Sequence, residues 1–304
     1  MSGVRKGILL AGGRGTRLYP ITRAVNKHLL PIYDKPLLYY PLTTLMLAGV
    51  REVLVISDGA DIGDLRRSLG DGAQWGLSIA YAAQHKPSGI AEGVLIGADF
   101  VGREPFCLAL GDNIFYGHGI GEILGEAAHR AAGGKAVILT QPVADPRQYG
   151  VVKLDAHDRP VQLVEKPADP PSNQAVTGIY FYDSRAVAFA KQLRPSARGE
   201  LEITDLNRVY LECGDLIAKP LSRGIVWFDA GSAQNMLLAA ELVQVVQSRQ
   251  RTGIAFPEEL AFRLGLIEQS AFVALVDAMP HSEYRTYLET LRDEFGGQTA
   301  KGRP

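Results

Sequence analysis

Short, uninterrupted apolar runs recur along the chain at 7–11, 53–56, 79–82, 106–110, 136–140 and 178–182, separated by amphipathic helical stretches. They are rich in Val, Ile and Leu and do not alternate with polar residues, as expected of strands covered on both faces. Strands spaced by helices imply crossover connections, so the pattern predicts an α/β fold around a mostly parallel sheet. Between two of these runs, 150–154 and 161–164 flank the turn-rich 155–160, which predicts an inserted β-hairpin. After Asp229 the pattern becomes helical. Met236, Ala239, Ala240, Val243 and Val246 share one face, and 249–253 end that helix. Pro257 with Glu258 and Glu259 marks another helix start. Tyr284, Tyr287, Leu288, Leu291 and Phe295 keep helical spacing behind Ser282 as a cap. The organisation expected is a core over 1–235 and a C-terminal helical extension over 236–304, serving as interface or regulatory site, with 296–304 a frayed, disordered tail.

Composition narrows the function classes. The chain has 304 residues, 46% hydrophobic and 21% charged, with a formal net charge of −1. No overall basic field favours nucleic acid or an acidic membrane. No run reaches the length of a membrane helix and the N-terminus has no signal-peptide pattern, so a cytoplasmic protein is expected. The two cysteines, Cys107 and Cys213, read as buried free thiols.

Against that neutral background the end of the first strand stands out. Gly12, Gly13 and Gly15 interrupt the apolar run, and Arg14 and Arg17 lie among them, with Lys27 further on. Glycines let backbone N–H groups close on an anion, and the arginines add charge, so this loop reads as a polyphosphate cradle. It fits neither familiar glycine motif. A dinucleotide fingerprint counted from Gly13 needs glycine where Leu18 stands, and a P-loop needs a lysine after glycine. Two aspartates each emerge at the end of an apolar strand with a glycine nearby, Asp112 and Asp229. Their hard oxygens suit Mg²⁺ bridging substrate phosphates, although turn capping explains either one alone. Lys166 follows Glu165 at a strand end, Arg198 sits in a polar loop before a helix, and Gln84 could read a nucleobase edge. None of the six histidines has zinc-site spacing, and no nucleophile elbow is present.

Several longer segments carry a family resemblance. They are LAGGRGTRLYPIT at 10–22, LLPIYDKPLLYYPLTTLMLAGVREVLVIS at 29–57, LGDGAQWGL at 69–77 and LGDNIFYGHG at 110–119. They continue with YGVV at 149–152, VEKP at 164–167, AVTGIYFYD at 175–183 and PSARGELEITDLNRVYLE at 195–212. In order and spacing the chain resembles the glucose-1-phosphate thymidylyltransferases, of the sugar nucleotidyltransferase family, from the first strand to about residue 295.

The resemblance implies a Rossmann-like core, commonly assembled as a homotetramer. It also implies Mg²⁺-dependent conversion of dTTP and α-D-glucose 1-phosphate to dTDP-glucose and pyrophosphate, feeding deoxysugar biosynthesis of the dTDP-rhamnose type. By the same resemblance, Leu10, Gly12, Gly13, Arg14, Gly15, Thr16, Arg17, Gln84 and Gly89 hold the nucleotide. Gly150, Glu165, Lys166, Val176 and Arg198 meet the sugar phosphate, and Asp112 and Asp229 hold the metal. Arg17, Lys27 and Lys166 are the catalytic cations. Members also bind nucleotide at a regulatory site involving the C-terminal helices. The chain departs from common family wording at Asn26-Lys27-His28, at Gly89-Ile90-Ala91-Glu92 (where Gln often stands last) and at Ala230-Gly231-Ser232. None of these removes a required charge. Two other readings are a UTP-using uridylyltransferase, since thymine and uracil differ by one methyl, and a catalytically silent nucleotide-sugar sensor.

Overall fold

The computed structural model describes residues 3–13, 15–86 and 88–299, without the side chains of 295–299. Its strands are β1 (Lys6–Leu10), β2 (Pro31–Ile32), β3 (Lys35–Pro36), β4 (Glu52–Ser57), β5 (Ser78–Ala83), β6 (Phe106–Leu110) and β7 (Asn113–Tyr116), followed by β8 (Ala136–Pro142), β9 (Gly150–Leu154), β10 (Pro160–Glu165), β11 (Gln174–Tyr182), β12 (Leu216–Pro220) and β13 (Val226–Asp229). The helices are α1 (Tyr39–Leu47), α2 (Ile62–Leu69), α3 (Ile90–Ile96), α4 (Ala98–Val101), α5 (Ile120–Ala132) and α6 (Ala186–Ala190), then α7 (Ile203–Glu212), α8 (Ala233–Gln250), α9 (Pro257–Arg263), α10 (Gln269–Ala278) and α11 (Glu283–Thr299).

One nine-stranded sheet runs β10-β9-β11-β6-β1-β4-β5, with β8 also on β11 and β12 on β8. β1 pairs in parallel with β4 and β6, β4 with β5, and β8 with β12. β11 is antiparallel to β6, β8 and β9, and β10 to β9. Every strand of the sheet except β10 and β11 therefore points one way, and the mostly parallel α/β expectation holds. The six apolar runs all fall on its strands. Their continuity has a plain cause: Ile8, Leu54, Ile56 and Leu108 pack on one face, while Leu9, Val53, Val55 and Ala109 pack on the other. Each fully buried Leu, Ile or Val contributes roughly 1.5–3 kcal/mol relative to an exposed one.

The β9–β10 hairpin forms as expected, its turn closed by Asp155, whose carboxylate accepts N–H bonds from His157 (2.8 Å) and Arg159 (3.0 Å). It does not stand apart: β9 joins β11 through Val151 opposite Ala175, so the hairpin extends the sheet edge. The pattern gave no warning of two small pairings. β2 and β3 form a short antiparallel pair, and β7 and β13 form another outside the main sheet, with Asn113 opposite Asp229.

The expected junction at 235/236 lies inside α8. That helix buries Ala239 and Val243, with Met236, Ala240 and Val246 beside them, against Ile32, Tyr40 and Ile114. α9, α10 and α11 share a separate core of Phe256, Phe272, Val276, Leu288 and Leu291. Ser282 Oγ accepts the Arg285 N–H (3.2 Å), capping α11. The helix then runs to Thr299, within the tail expected from 296 onward, and 300–304 lie outside the described residues. Cys107 is buried and free, but Cys213 is exposed: it follows the last turn of α7 instead of packing under it. Among the described residues no helix is long and apolar enough to cross a membrane.

Candidate active site

The parallel strands deliver their carboxyl ends to one edge, the usual ligand position in open α/β sheets. After β1, Ala11 donates its N–H to Ile56 (2.8 Å), and the chain then leaves the sheet at Gly12. Gly13 (φ 105°) and Gly15 (φ 56°) occupy backbone conformations that a side chain would strain. Gly15 is also tightly packed. The Thr22 hydroxyl donates to its carbonyl (2.9 Å), and a Cβ there would lie 2.7 Å from the Thr22 methyl. No α-helix follows the loop, only 3₁₀ turns at Thr16–Leu18, Ile21–Arg23 and Lys27–Leu29. The charge available to an anion is thus that of loop N–H groups, Arg17 and Lys27, without a long helix dipole. Arg14 lies outside the described residues, and Thr16 and Gly15 shape the turn and line neither of the two cavities described below.

Lys27 is held in place by its neighbours. The buried Asn26 side chain donates to Asp61 Oδ2 (2.7 Å) and accepts from the His28 N–H (2.8 Å), fixing the turn on which Lys27 sits. Burial, reinforced by the Lys27 charge, lowers the His28 pKa to about 3, so this imidazole is neutral. It packs against Gly111, where a Cβ would come within 2.6 Å of the ring.

The two aspartates meet because β7 and β13 pair. Ala230 donates its N–H to the Asp112 carbonyl (2.8 Å), closing that ladder behind both carboxylates. Asn113 locks the arrangement: it donates to Asp112 Oδ1 (3.0 Å) while its Oδ1 accepts from Gly178 N–H (3.0 Å) and Trp227 Nε1 (2.5 Å). Each carboxylate has a cation, with Lys27 Nζ 2.5 Å from Asp112 Oδ2 and Arg17 Nη2 3.6 Å from Asp229 Oδ2. Their electrostatics differ. Burial pushes the Asp112 carboxyl upward, but the Lys27 charge and the hydrogen bonds from Lys27 and Asn113 outweigh it and hold it below the usual range. Burial and the Asp112 charge raise that of Asp229, against the weaker pull of Arg17. Two facing carboxylates with hard oxygens, one of them destabilised by the other's charge, are suited to a divalent cation completed by waters and phosphate oxygens.

Two adjoining cavities share Ile90, Leu110 and Asp112. The smaller, about 250 Å³, is walled by Leu10, Gly12, Gly13, Lys27, Gln84 and Gly89. The larger, about 510 Å³, carries Arg17, Gly150, Glu165, Lys166, Val176 and Asp229. Gly150 is needed for space, since a Cβ would sit 2.9 Å from Thr204 Oγ1, which donates to Glu165 Oε2 (2.5 Å). Lys166 adopts φ 41°, unusual for a residue with a side chain, and its N–H donates to the Tyr149 carbonyl (3.0 Å). Arg198 does not line either cavity. It stands behind Glu165 (3.2 Å) and grips both oxygens of Glu202 (2.8 Å each). Sequence reading overlooked Asn113, Thr204, Tyr149, Trp227 and the orienting Asn26. Asn113 and Thr204 stand inside segments already singled out, but their roles come from partners on other strands.

The nucleotidyl transferase family profile matches residues 6–245. The chain is 50% identical to a glucose-1-phosphate thymidylyltransferase of Xanthomonas campestris pv. campestris over 94% of its length and 97% of that protein's. It is 46% identical to the Mycolicibacterium smegmatis protein of that name, over 95% and 99%. A crystal structure from Bacillus anthracis assigned to the same enzyme, in complex with sucrose, superposes with TM-score 0.73 at 40% identity, covering 79% of this chain and 95% of that one. A UDP-glucose pyrophosphorylase complexed with UDP-glucose shares the fold at 24% identity, TM-score 0.71, over 80% and 99%.

Proposed function

The chain belongs to the nucleotidyl transferase family, and from that membership we infer that it is a glucose-1-phosphate thymidylyltransferase, making dTDP-glucose and pyrophosphate from dTTP and α-D-glucose 1-phosphate. The supporting observation is the pair of adjoining cavities meeting at Asp112, each with its own cation beside a carboxylate. In this reading the smaller cavity takes the nucleotide, through Leu10, Gly12, Gly13, Gln84 and Gly89, while Gly15, Thr16 and Arg14 complete the loop. The larger takes the sugar phosphate, through Gly150, Glu165, Lys166 and Val176, with Arg198 behind them.

The family generally uses a divalent metal. The donor set fits Mg²⁺ held by Asp112 and Asp229, and once bound it neutralises charge on the phosphate oxygens. Lys27 and Arg17, each beside one of these carboxylates, are the cations that would meet the triphosphate. Lys166 orients the sugar-phosphate oxygen for in-line attack at the α-phosphorus, opposite the departing pyrophosphate. Lys27 and Arg17 stabilise the charge that develops there, which is what phosphoryl-type transfer requires of a protein.

Leu237, Leu238 and Val245, exposed on α8, support a subunit interface in a homotetramer. We place the reaction in the cytoplasm, feeding deoxysugar synthesis. Pyrophosphate release from dTTP and from UTP, each with glucose 1-phosphate and Mg²⁺, tests the reading. Faster turnover of dTTP is expected, and equal or faster use of UTP overturns the thymidylyl assignment.

A further inference from the structure

Gln84 follows β5 directly and is anchored by its own N–H to the Ser57 carbonyl (2.7 Å). Its side-chain amide has a donor end and an acceptor end, and which end faces a ligand decides what it can recognise. Two acceptors surround the donor end. Nε2 donates to Glu92 Oε2 (2.6 Å) and lies 3.4 Å from the Gly89 carbonyl. An ionised carboxylate only accepts, so the reversed amide would set two oxygens against each other. The acceptor end is thereby directed to the opposite side, beside Gly12, where a Cβ would stand 3.2 Å from Oε1. Oε1 receives no hydrogen bond from any described residue, and Gln84, Gly12 and Gly89 all wall the smaller cavity.

We propose that Glu92 is a positioning residue for base selection: it holds the Gln84 amide with its carbonyl toward the nucleotide, so the site requires a base with a ring N–H. Thymine and uracil carry that donor at N3. Cytosine carries a lone pair at N3, which would oppose Oε1. This deepens the thymidylyl-transfer reading and rests on it. Glu92 also sits in the first turn of α3, where any acid favours the helix electrostatically. That ordinary role predicts a general loss of stability or activity on substitution, with no change in base preference. The carboxylate is a departure from the glutamine often found there. A glutamine can also accept from Gln84, and although its own amide could turn, the Gly89 carbonyl beside it still favours the donor end of Gln84 on this side.

The experiment measures kcat/KM for dTTP and dCTP in the wild type, Glu92→Leu, Glu92→Gln, Gln84→Leu and the Glu92→Leu/Gln84→Leu double variant, with Glu92→Met as a second acceptor-free variant should Glu92→Leu not fold. The dTTP-to-dCTP preference is expected to fall about tenfold or more in Glu92→Leu, the scale of one mismatched hydrogen bond, and to survive in Glu92→Gln. In the Gln84→Leu background, Glu92→Leu should cost nothing further in that preference, because its effect passes through the amide. An unchanged preference in Glu92→Leu, or additive losses in the double variant, overturns the proposal. Calorimetric binding of dTTP and dCTP reads the same ratio without turnover. Wild-type protein that binds with this preference but releases no pyrophosphate would therefore refute the transfer reading alone.

Discussion

The wall of the cleft formed by Leu10 to Gly13 and Gly89 presents mainly backbone, with Gln84 contributing an amide. The opposite wall, formed by Glu165, Lys166 and Thr204 with Arg198 behind, is a network of side chains that already satisfy one another. A backbone wall is selective through space, as at Gly12 and Gly89, where a Cβ would press on Gln84 and Leu201, but it brings no full charge. A side-chain wall brings charge, but much of it is spoken for before a ligand arrives. The most deeply enclosed charges of the cleft lie at the seam between them. There Lys27, Asp112 and Asp229 keep only 13%, 12% and 15% of their side chains exposed. Charges a few ångströms apart interact there several times more strongly than in bulk water.

The largest effects are therefore expected at the seam. Lys27→Ala and Asp229→Ala should each lower kcat by at least about a hundredfold, roughly 2.7 kcal/mol of transition-state stabilisation. Steady-state assays with dTTP, glucose 1-phosphate and Mg²⁺ measure this, with circular dichroism confirming the fold. Near-normal rates in both variants would put the chemistry elsewhere in the cleft.

His28 separates stability from catalysis on the backbone side. Its folded pKa of about 3 lies below the ordinary 6.5, so the unfolded chain takes up a proton first as pH falls. The His28 contribution to stability is fully present above pH 6.5 and is lost progressively toward pH 3, at about 1.4 kcal/mol per pH unit. Near pH 5 that amounts to about 2 kcal/mol. Urea midpoints from pH 7 to 5 should show the loss in the wild type and a shallower slope in His28→Gln, which cannot titrate. Identical slopes would mean that other groups govern the acid limb.

How much of this was visible in the sequence differs between the same regions. The central strands were legible because burial on both faces leaves a continuous apolar signature, as in Ile8 and Leu9 facing opposite cores. The glycine loop was legible because Gly13 and Gly15 meet a backbone demand that few residues can satisfy. The meeting of Asp112 and Asp229 was not, since it depends on β7 pairing with β13 and on Asn113 reaching Gly178 and Trp227. Both strands are short, and no periodicity within either names the other. Arg198 shows the reverse error: its motif was plain, but its distance from the cavities was not.

Gly150 tests the charged wall by the criterion of the backbone one. A Cβ on it would press on Thr204 Oγ1 and lie 3.4 Å from Glu165 Oε2, disturbing the pair without removing a charge. Gly150→Ala should raise KM for glucose 1-phosphate about tenfold and leave KM for dTTP nearly unchanged, a cost near 1.4 kcal/mol in the range of a disturbed hydrogen bond. Equal rises in both constants would show that the walls are coupled and that the contrast between them fails.

The smallest effect is expected at Arg198, whose side chain is 41% exposed and whose guanidinium is shared among Glu165, Glu202 and Glu200 (3.7 Å). Its charge is therefore largely neutralised before any phosphate arrives, and a partly exposed arginine already paired in this way adds little attraction for the ligand. Arg198→Gln should raise KM for glucose 1-phosphate two- to threefold, at a cost of about 0.5 kcal/mol, with kcat near the wild-type value. Most of that loss would come from Glu165, which loses one orienting partner while Thr204 continues to donate to its other oxygen. A rise beyond tenfold would mean that Arg198 leaves Glu202 and grips the sugar phosphate directly. The charged wall would then be a clamp that rearranges on binding, instead of a preformed network.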